Sequence, residues 1–78
     1  MNDYSPIDCG LHSQLELAIM HRRKLRLKWR PPEAAPHDDM IIPVDLITRD
    51  QAEFLVGVLA GNPIEVRLDW IIDFFIVD

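Results

Sequence analysis

The chain has 78 residues, 49% of them hydrophobic, and a net charge of −5 at pH 7. This length fits one small domain, and the apolar content argues against an intrinsically disordered chain. A single cysteine excludes an intrachain disulfide, and an acidic surface is poorly suited to general nucleic-acid binding because it repels phosphate.

The sequence also predicts neither a secretory signal nor a membrane helix. Its N-terminus has no basic segment followed by an apolar run. The longest nearly apolar stretch, Trp70 to Val77, is interrupted by Asp73 and is far shorter than the roughly 20 residues that span a bilayer. Together with the lone cysteine, these features predict a soluble, cytoplasmic protein.

Charge is distributed unevenly along the chain. Residues 1–30 carry six basic and three acidic side chains, a net of +3, whereas residues 31–78 carry two basic and ten acidic ones, a net of −8. The second part of the chain is therefore expected to attract basic partners.

The N-terminal part predicts an arm followed by a helix. Residues 1–12 are expected to be irregular because Pro6 disfavours helix around it. Ser13 and Glu16 then have the form of a capping box, and the next apolar residues recur at helical spacing. We predict a helix over 14–22, which is too short to be stable unless it docks on the rest of the domain.

From Lys24 onward the hydrophobic period changes to two, which is typical of strands. The segment 24–30 alternates strictly, with apolar residues on one face and four cations on the other: Lys24, Arg26, Lys28 and Arg30. A proline-rich loop over 31–39 leads to a strand from Met40 to Ile47. Pro43 lacks a ladder donor and so predicts an edge or a bulge in that strand.

Three further strands are predicted after a turn over 48–51. The strand from Glu53 to Ala60 is expected to bend at Gly57, and the strand Ile64 to Asp69 alternates cleanly. The segment Ile71 to Val77 is almost continuously apolar, which predicts burial on both faces or closure of a barrel.

These elements predict one mostly β domain over 1–78, with the helix packed on a small five-stranded antiparallel barrel whose strands lie within 24–77. One core is expected where the apolar faces of the strands meet the helix. Its predicted members are Leu15, Ile19, Leu25, Leu27, Phe54, Val56, Val66, Leu68 and Phe74.

Metal binding and catalysis are not predicted. The soft ligands Cys9, His12, His21 and His37 lack the paired spacing of a zinc site, so we expect solvated histidines and a Cys9 that packs as a small apolar group. A pairing of Cys9 with His12 or His21 as nucleophile and base is conceivable, but the carboxylates are scattered and no glycine-rich phosphate loop occurs. We therefore expect no enzymatic activity and no cofactor.

Two sets of charges leave alternatives open. The cationic strand face over 24–30 could follow a phosphate backbone, but a solvated face that pairs with local acids is the favoured interpretation. Acidic residues at turns and outward strand positions can serve either solubility or partner binding.

Several motifs follow one another along nearly the whole chain. The first is the opening Met1-Asn2-Asp3-Tyr4-Ser5-Pro6-Ile7-Asp8-Cys9, followed by Leu15-Glu16-Leu17-Ala18 and His21. Next come Asp45-Leu46-Ile47-Thr48-Arg49 and Glu53-Phe54-Leu55-Val56, and then Glu65-Val66-Arg67-Leu68-Asp69 with Ile71 and Phe74. In this order the motifs resemble the start, the second and third strands, and the fourth strand with the segment after it, of the Rho-binding antiterminator family (Rof/YaeO-like proteins).

The resemblance implies an Sm-like fold and a protein that binds transcription termination factor Rho. Such proteins cover the surface near the primary RNA-binding site of Rho and reduce Rho-dependent termination. We expect a monomer or weak dimer. Carried over by position, the partner-binding residues are Asp3, Tyr4, Asp8, Glu16, Asp45, Arg49 and Glu53. The alternative is an Sm-like RNA-binding module that uses Lys24, Arg26, Lys28 and Arg30, although direct nucleic-acid binding is not the favoured expectation.

Overall fold

A computed structural model of the chain describes residues 9–77, with Cys9 described by its backbone alone. It contains one helix, five strands and a short 3₁₀ turn. In chain order they are α1 (Cys9–Met20), β1 (Lys24–Trp29), β2 (His37–Arg49), β3 (Ala52–Leu59), β4 (Asn62–Arg67), the 3₁₀ turn Leu68–Trp70 and β5 (Ile71–Val77).

The five strands form one antiparallel sheet in the order β4-β3-β2-β1-β5. The prediction of a mostly β domain with one helix and five antiparallel strands is confirmed. Closure into a barrel is not found among the described strands, because β4 and β5 lie at opposite edges of the sheet.

β2 is the longest strand and divides its pairing between two neighbours. Residues 37–41 pair with β1, whereas residues 42–49 pair with β3. Close to the point where the partner changes, the register shifts between Pro43 and Asp45, which is a bulge with Val44 as the extra residue. The bulge predicted from Pro43 is confirmed, and it lies in the central strand, where a bulge accommodates the missing proline donor.

Two tight turns connect β2 to β3 and β3 to β4. Asp50 and Gln51 have φ angles of 52° and 63°, and Ala60 and Gly61 have φ angles of 51° and 84°. Positive φ at both central residues is the geometry of a type I′ turn, whose twist matches that of the flanking strands. The sequence predicted the first of these turns over 48–51, and the Gly61-Asn62-Pro63 segment predicted the second.

Gly57 allows β3 to cross close to the bulge. It pairs with Pro43, and a Cβ atom added to it would lie 2.6 Å from Ile41 Cγ2 and 2.7 Å from the Ile42 carbonyl oxygen. Such distances are shorter than van der Waals contact, so only glycine fits here without a shift of the neighbouring backbone.

We expect Gly57→Ala to lower the free energy of unfolding by about 1–3 kcal/mol, because the added methyl overpacks the sheet at its bend. Val44→Ala, at an exposed position of the same bulge, is the control and should change stability by less than about 0.5 kcal/mol. Urea unfolding of both variants checks this. Equal midpoints for Gly57→Ala and the unsubstituted protein would contradict it.

The core lies where α1 packs on the sheet. Its fully buried large side chains are Leu15, Leu25, Leu27, Ile41, Leu55, Val66 and Leu68, joined by Ala18, Trp29 and Phe74. The prediction that Phe54 and Val56 belong to the core is wrong, because both side chains are only half-buried. The inner face of β3 is formed by Leu55 and Gly57, which are buried. The predicted core position Ile19 is partly buried against the cluster.

Several predicted boundaries also differ from the structure. α1 begins at Cys9 and ends at Met20, so the helix predicted over 14–22 starts earlier, and residues 9–12 belong to it rather than to an irregular arm. Ser13 lies inside this helix and does not cap it. β2 begins at His37 within the predicted loop, and the predicted strand end at 68–69 forms the 3₁₀ turn.

β5 differs most from its prediction. Only Phe74 is buried in this strand, whereas Ile72 is 61% exposed and Phe75 is 55% exposed. Burial on both faces is therefore wrong, because an edge strand of an open sheet has only one covered face.

Candidate protein-binding groove

An open groove of about 400 Å³ lies between α1, β2 and the start of β3. Three carboxylates line it, together with one histidine and an apolar floor. We call it the acidic groove, and its residues are His12, Glu16, Ile19, Met20, Asp45, Leu46, Ile47, Thr48 and Glu53. Its three acids are all among the partner-binding residues predicted from the sequence.

Local structure explains how the acids reach the groove. Glu16 lies one helical turn after His12, so both side chains share one face of α1. Asp45 follows the β2 bulge directly, and its Oδ1 accepts a hydrogen bond from the Leu46 amide at 2.8 Å. Glu53 is the second residue of β3, just after the first tight turn.

His12 bridges two of the carboxylates. Its Nδ1 lies 2.7 Å from Glu16 Oε1, and its Nε2 lies 2.8 Å from Glu53 Oε2, a residue 41 positions away in the chain. The expectation of a solvated His12 is therefore wrong. The four-residue spacing of His12 and Glu16 was the available signal, but nothing in the sequence indicated that Glu53 would contact His12.

Arg49 was predicted as a partner-binding residue but does not line the acidic groove. Its guanidinium pairs with Glu65 of β4 and lies 4.7 Å from the centre of the Phe54 ring. The hydrogen bond to Glu65 raises the pKa of Arg49 above its ordinary value. The structure thus gives Arg49 a role in joining β2, β3 and β4 on the outer face.

Four remaining predictions fall outside what the structure describes. Asp3, Tyr4 and Asp8 precede the described residues, and the packing predicted for the Cys9 side chain falls on an undescribed side chain. These stay predictions.

The cationic strand face is interleaved with acids. Arg26 pairs with Asp38 at 2.7 Å, and Lys28 lies opposite Asp38 on β2 and Asp73 on β5. Arg30 donates to the Ala34 carbonyl oxygen at 3.0 Å. This arrangement favours the interpretation of a solvated face that pairs with local acids.

β1 also has no exposed aromatic side chain on which a nucleic-acid base could stack beside these cations. Trp29 points into the core, is 7% exposed, and stacks on His37 at 4.4 Å between ring centroids. Its indole N–H donates to Asp39 Oδ2 at 3.2 Å. The indole is thus fully engaged within the domain, whereas single-strand binding uses exposed aromatic rings.

The Arg26–Asp38 pair makes a pH-dependent prediction. The hydrogen bond from Arg26 lowers the pKa of Asp38, and the same bond raises the pKa of Arg26. A lowered carboxyl pKa stabilises the fold above the ordinary Asp value, and this contribution disappears as pH falls through the lowered value. An NMR titration of the Asp38 carboxyl carbon should show its pKa rise when Arg26 is replaced by glutamine. An unchanged midpoint would contradict the pairing.

Two other features are absent from the described part of the chain. Within residues 9–77, no helix has the length and apolar content needed to cross a membrane. Over that same range, histidine and carboxylate side chains form no group of three or more suited to a metal ion.

The sequence is similar, over nearly all of its length, to a bacterial protein. It is 39% identical over 75 residues to Protein rof of Escherichia coli (strain K12), and the alignment covers 95% of this chain and 84% of that relative. Protein rof of Shigella flexneri matches to the same extent. No protein-family model matches the sequence.

Among solved structures, the fold is similar to part of a larger protein. The proteasome accessory factor B/C of Arthrobacter aurescens matches with a TM-score of 0.78 at 16% sequence identity. The match covers 96% of this chain but only 12% of that protein. At this identity the likeness concerns the fold alone.

Proposed function

The chain belongs to the Rof family of proteins, and on that premise we propose that it is a protein inhibitor of transcription termination factor Rho. It binds near the primary RNA-binding surface of Rho and hinders the loading of RNA. Rho-dependent termination is thereby reduced, so the protein acts as an antiterminator.

The observation that supports this proposal most is the convergence of Glu16, Asp45 and Glu53 on one groove. A surface that holds RNA phosphates is basic, so a competitor for it needs acids in a cluster. The apolar floor of the acidic groove adds area that excludes water from such contacts, which strengthens them.

Further parts of the proposal concern the fold and the state of the protein. We propose an Sm-like sheet, supported by the strand order and by the division of β2 between two neighbours. The protein acts in the cytoplasm as a monomer or weak dimer and has no catalytic activity. The acids that interleave the β1 cations argue against direct nucleic-acid binding as its activity.

A competition experiment with purified Rho tests the proposal. The protein should retain Rho in a pull-down, RNA should compete for that retention, and RNA-stimulated ATP hydrolysis by Rho should fall. Affinity should also fall as salt rises, because exposed charges are screened beyond about 8 Å at physiological ionic strength.

An RNA gel shift of this protein alone supplies the opposing test. A shift that is lost on substitution of Lys24, Arg26 and Lys28, combined with failure to retain Rho, would contradict the proposal. It would favour the RNA-binding module instead.

A further inference from the structure

The two contacts of His12 require two donors. Its Nδ1 lies 2.7 Å from a carboxylate oxygen of Glu16, and its Nε2 lies 2.8 Å from one of Glu53. A neutral imidazole has one N–H and one lone pair, whereas an imidazolium donates from both nitrogens. In the neutral form, one contact would place a lone pair against a carboxylate oxygen at hydrogen-bond distance. The geometry therefore fits the protonated ring.

Charges from three elements meet at this ring. Glu16 belongs to α1 and Glu53 to β3, and Asp45 of β2 lines the same groove. The His12 side chain is 29% exposed and that of Glu53 is 34% exposed, whereas that of Glu16 is 57% exposed. The protonated ring cancels one of three negative charges and holds two carboxylate oxygens that a lysine or arginine of a partner would otherwise contact.

We propose that His12 is a proton-dependent bridge that regulates the acidic groove, an inference that rests on the function proposed above. With the ring protonated, the charges of His12 and of the three groove carboxylates sum to −2, and the ring holds both Glu16 and Glu53. Loss of the proton changes that sum to −3 and removes one hydrogen bond. The more exposed Glu16 is then free to turn toward a cation of the partner.

This bridge makes binding depend on pH in a defined direction. Affinity for Rho increases as pH rises through the range in which histidines titrate, about pH 5 to 8. One additional negative charge beside a partly exposed cation strengthens binding roughly threefold to tenfold.

The experiment measures Rho affinity at pH 6 and pH 8 for the full chain and three variants. His12→Gln keeps the polarity of the side chain but cannot carry the charge, and His12→Lys keeps the charge over this range. His21→Gln is the matched control, because His21 is exposed and lies outside the groove. Rho is the same in all four titrations, so any pH dependence of its own appears equally in each.

The bridge predicts that the two His12 variants differ from the unsubstituted protein and that the His21 variant does not. The unsubstituted protein and His21→Gln should bind more tightly at pH 8, whereas His12→Gln should bind equally well at both values and match the tighter state. His12→Lys should bind as the protonated protein does. A parallel pH dependence in His12→Gln, or weaker binding by it at pH 8, would overturn the inference.

NMR of the ring nitrogens tests the bridge without Rho. At pH 6 both nitrogens of His12 should show the ¹⁵N shifts of protonated imidazole, and a lone protonated nitrogen in the folded protein would overturn the bridge. A complete absence of Rho binding at both pH values would instead reject the proposed function. The two failures are thus distinguished.

Discussion

Replacing Leu68 with alanine should lower the free energy of unfolding by about 2–5 kcal/mol. Leu68 is fully buried in the 3₁₀ turn and belongs to the same cluster as the β1 leucines and Leu15 of α1. Truncation removes apolar contacts and leaves a cavity that the sheet and helix cannot fully close. A domain of this size has a total stability of roughly 4–12 kcal/mol, so the loss is a large fraction of it.

Thermal unfolding followed by circular dichroism measures this effect. Leu17→Ala is the matched control, because it removes the same atoms from a leucine that is 49% exposed. The Leu68 variant should melt roughly 10 °C or more below the unsubstituted protein, with a much smaller change for the control. Similar melting temperatures for the two variants would contradict the central position of Leu68.

Neutralising the acidic groove should abolish most of the binding to Rho. In the triple variant Glu16→Gln, Asp45→Asn and Glu53→Gln, the side chains keep nearly the same shape but lose their charge. Partly exposed contacts of this kind contribute about 1 kcal/mol each, so affinity should fall about 100-fold. The fold should persist, because the three side chains lie on a solvent-exposed groove and none belongs to the core cluster.

A second triple variant controls for net charge. Glu33→Gln, Asp38→Asn and Asp73→Asn remove the same three charges at exposed positions outside the groove. This control should lose only a few-fold in affinity, through the weaker long-range attraction. Equal losses in both variants would show that total charge matters rather than the groove, and retained binding in the groove variant would reject the site.

Prediction from sequence worked best where each face of a strand has one chemical character. β1 alternates between leucine or tryptophan and a cation, and this strand starts at the predicted Lys24 with the predicted face buried. The β3 segment is apolar at nearly every position, so its pattern could not assign an inward face. Tertiary contacts determine which face of β3 is buried. Arg49 lies over the Phe54 ring on the outer face of the sheet, and Gly57 packs closely against Ile41 on the inner face.

β5 posed the same difficulty, because its apolar residues outnumber the positions that an edge strand can bury. The start of β2 was missed for another reason. His37, Asp38 and Asp39 have low strand propensity, but they pair with Trp29, Lys28 and Leu27 of β1. Long-range pairing overrode the local preference.

The candidate site was partly predictable. Three of its acids were identified by resemblance, and the structure brings these residues from three elements together. The His12 bridge was not predictable, because it depends on which strand end approaches the helix. The bulge in β2 lies directly before Asp45, and its effect on strand direction cannot be read from local pattern.

The division of β2 between two neighbours has a consequence for how the domain opens. Among the described strands, β1 and β5 connect to β3 and β4 only through β2. The core cluster draws side chains from both halves, among them Leu27 of β1 and Leu55 of β3, so neither half can separate without exposing that core to water. Amide protons of Ile41 and Ile42 should exchange with solvent only when the whole chain unfolds, whereas those of the edge strands should exchange through local fraying. Folding and unfolding are then expected to be all-or-none, with no stable half-sheet intermediate.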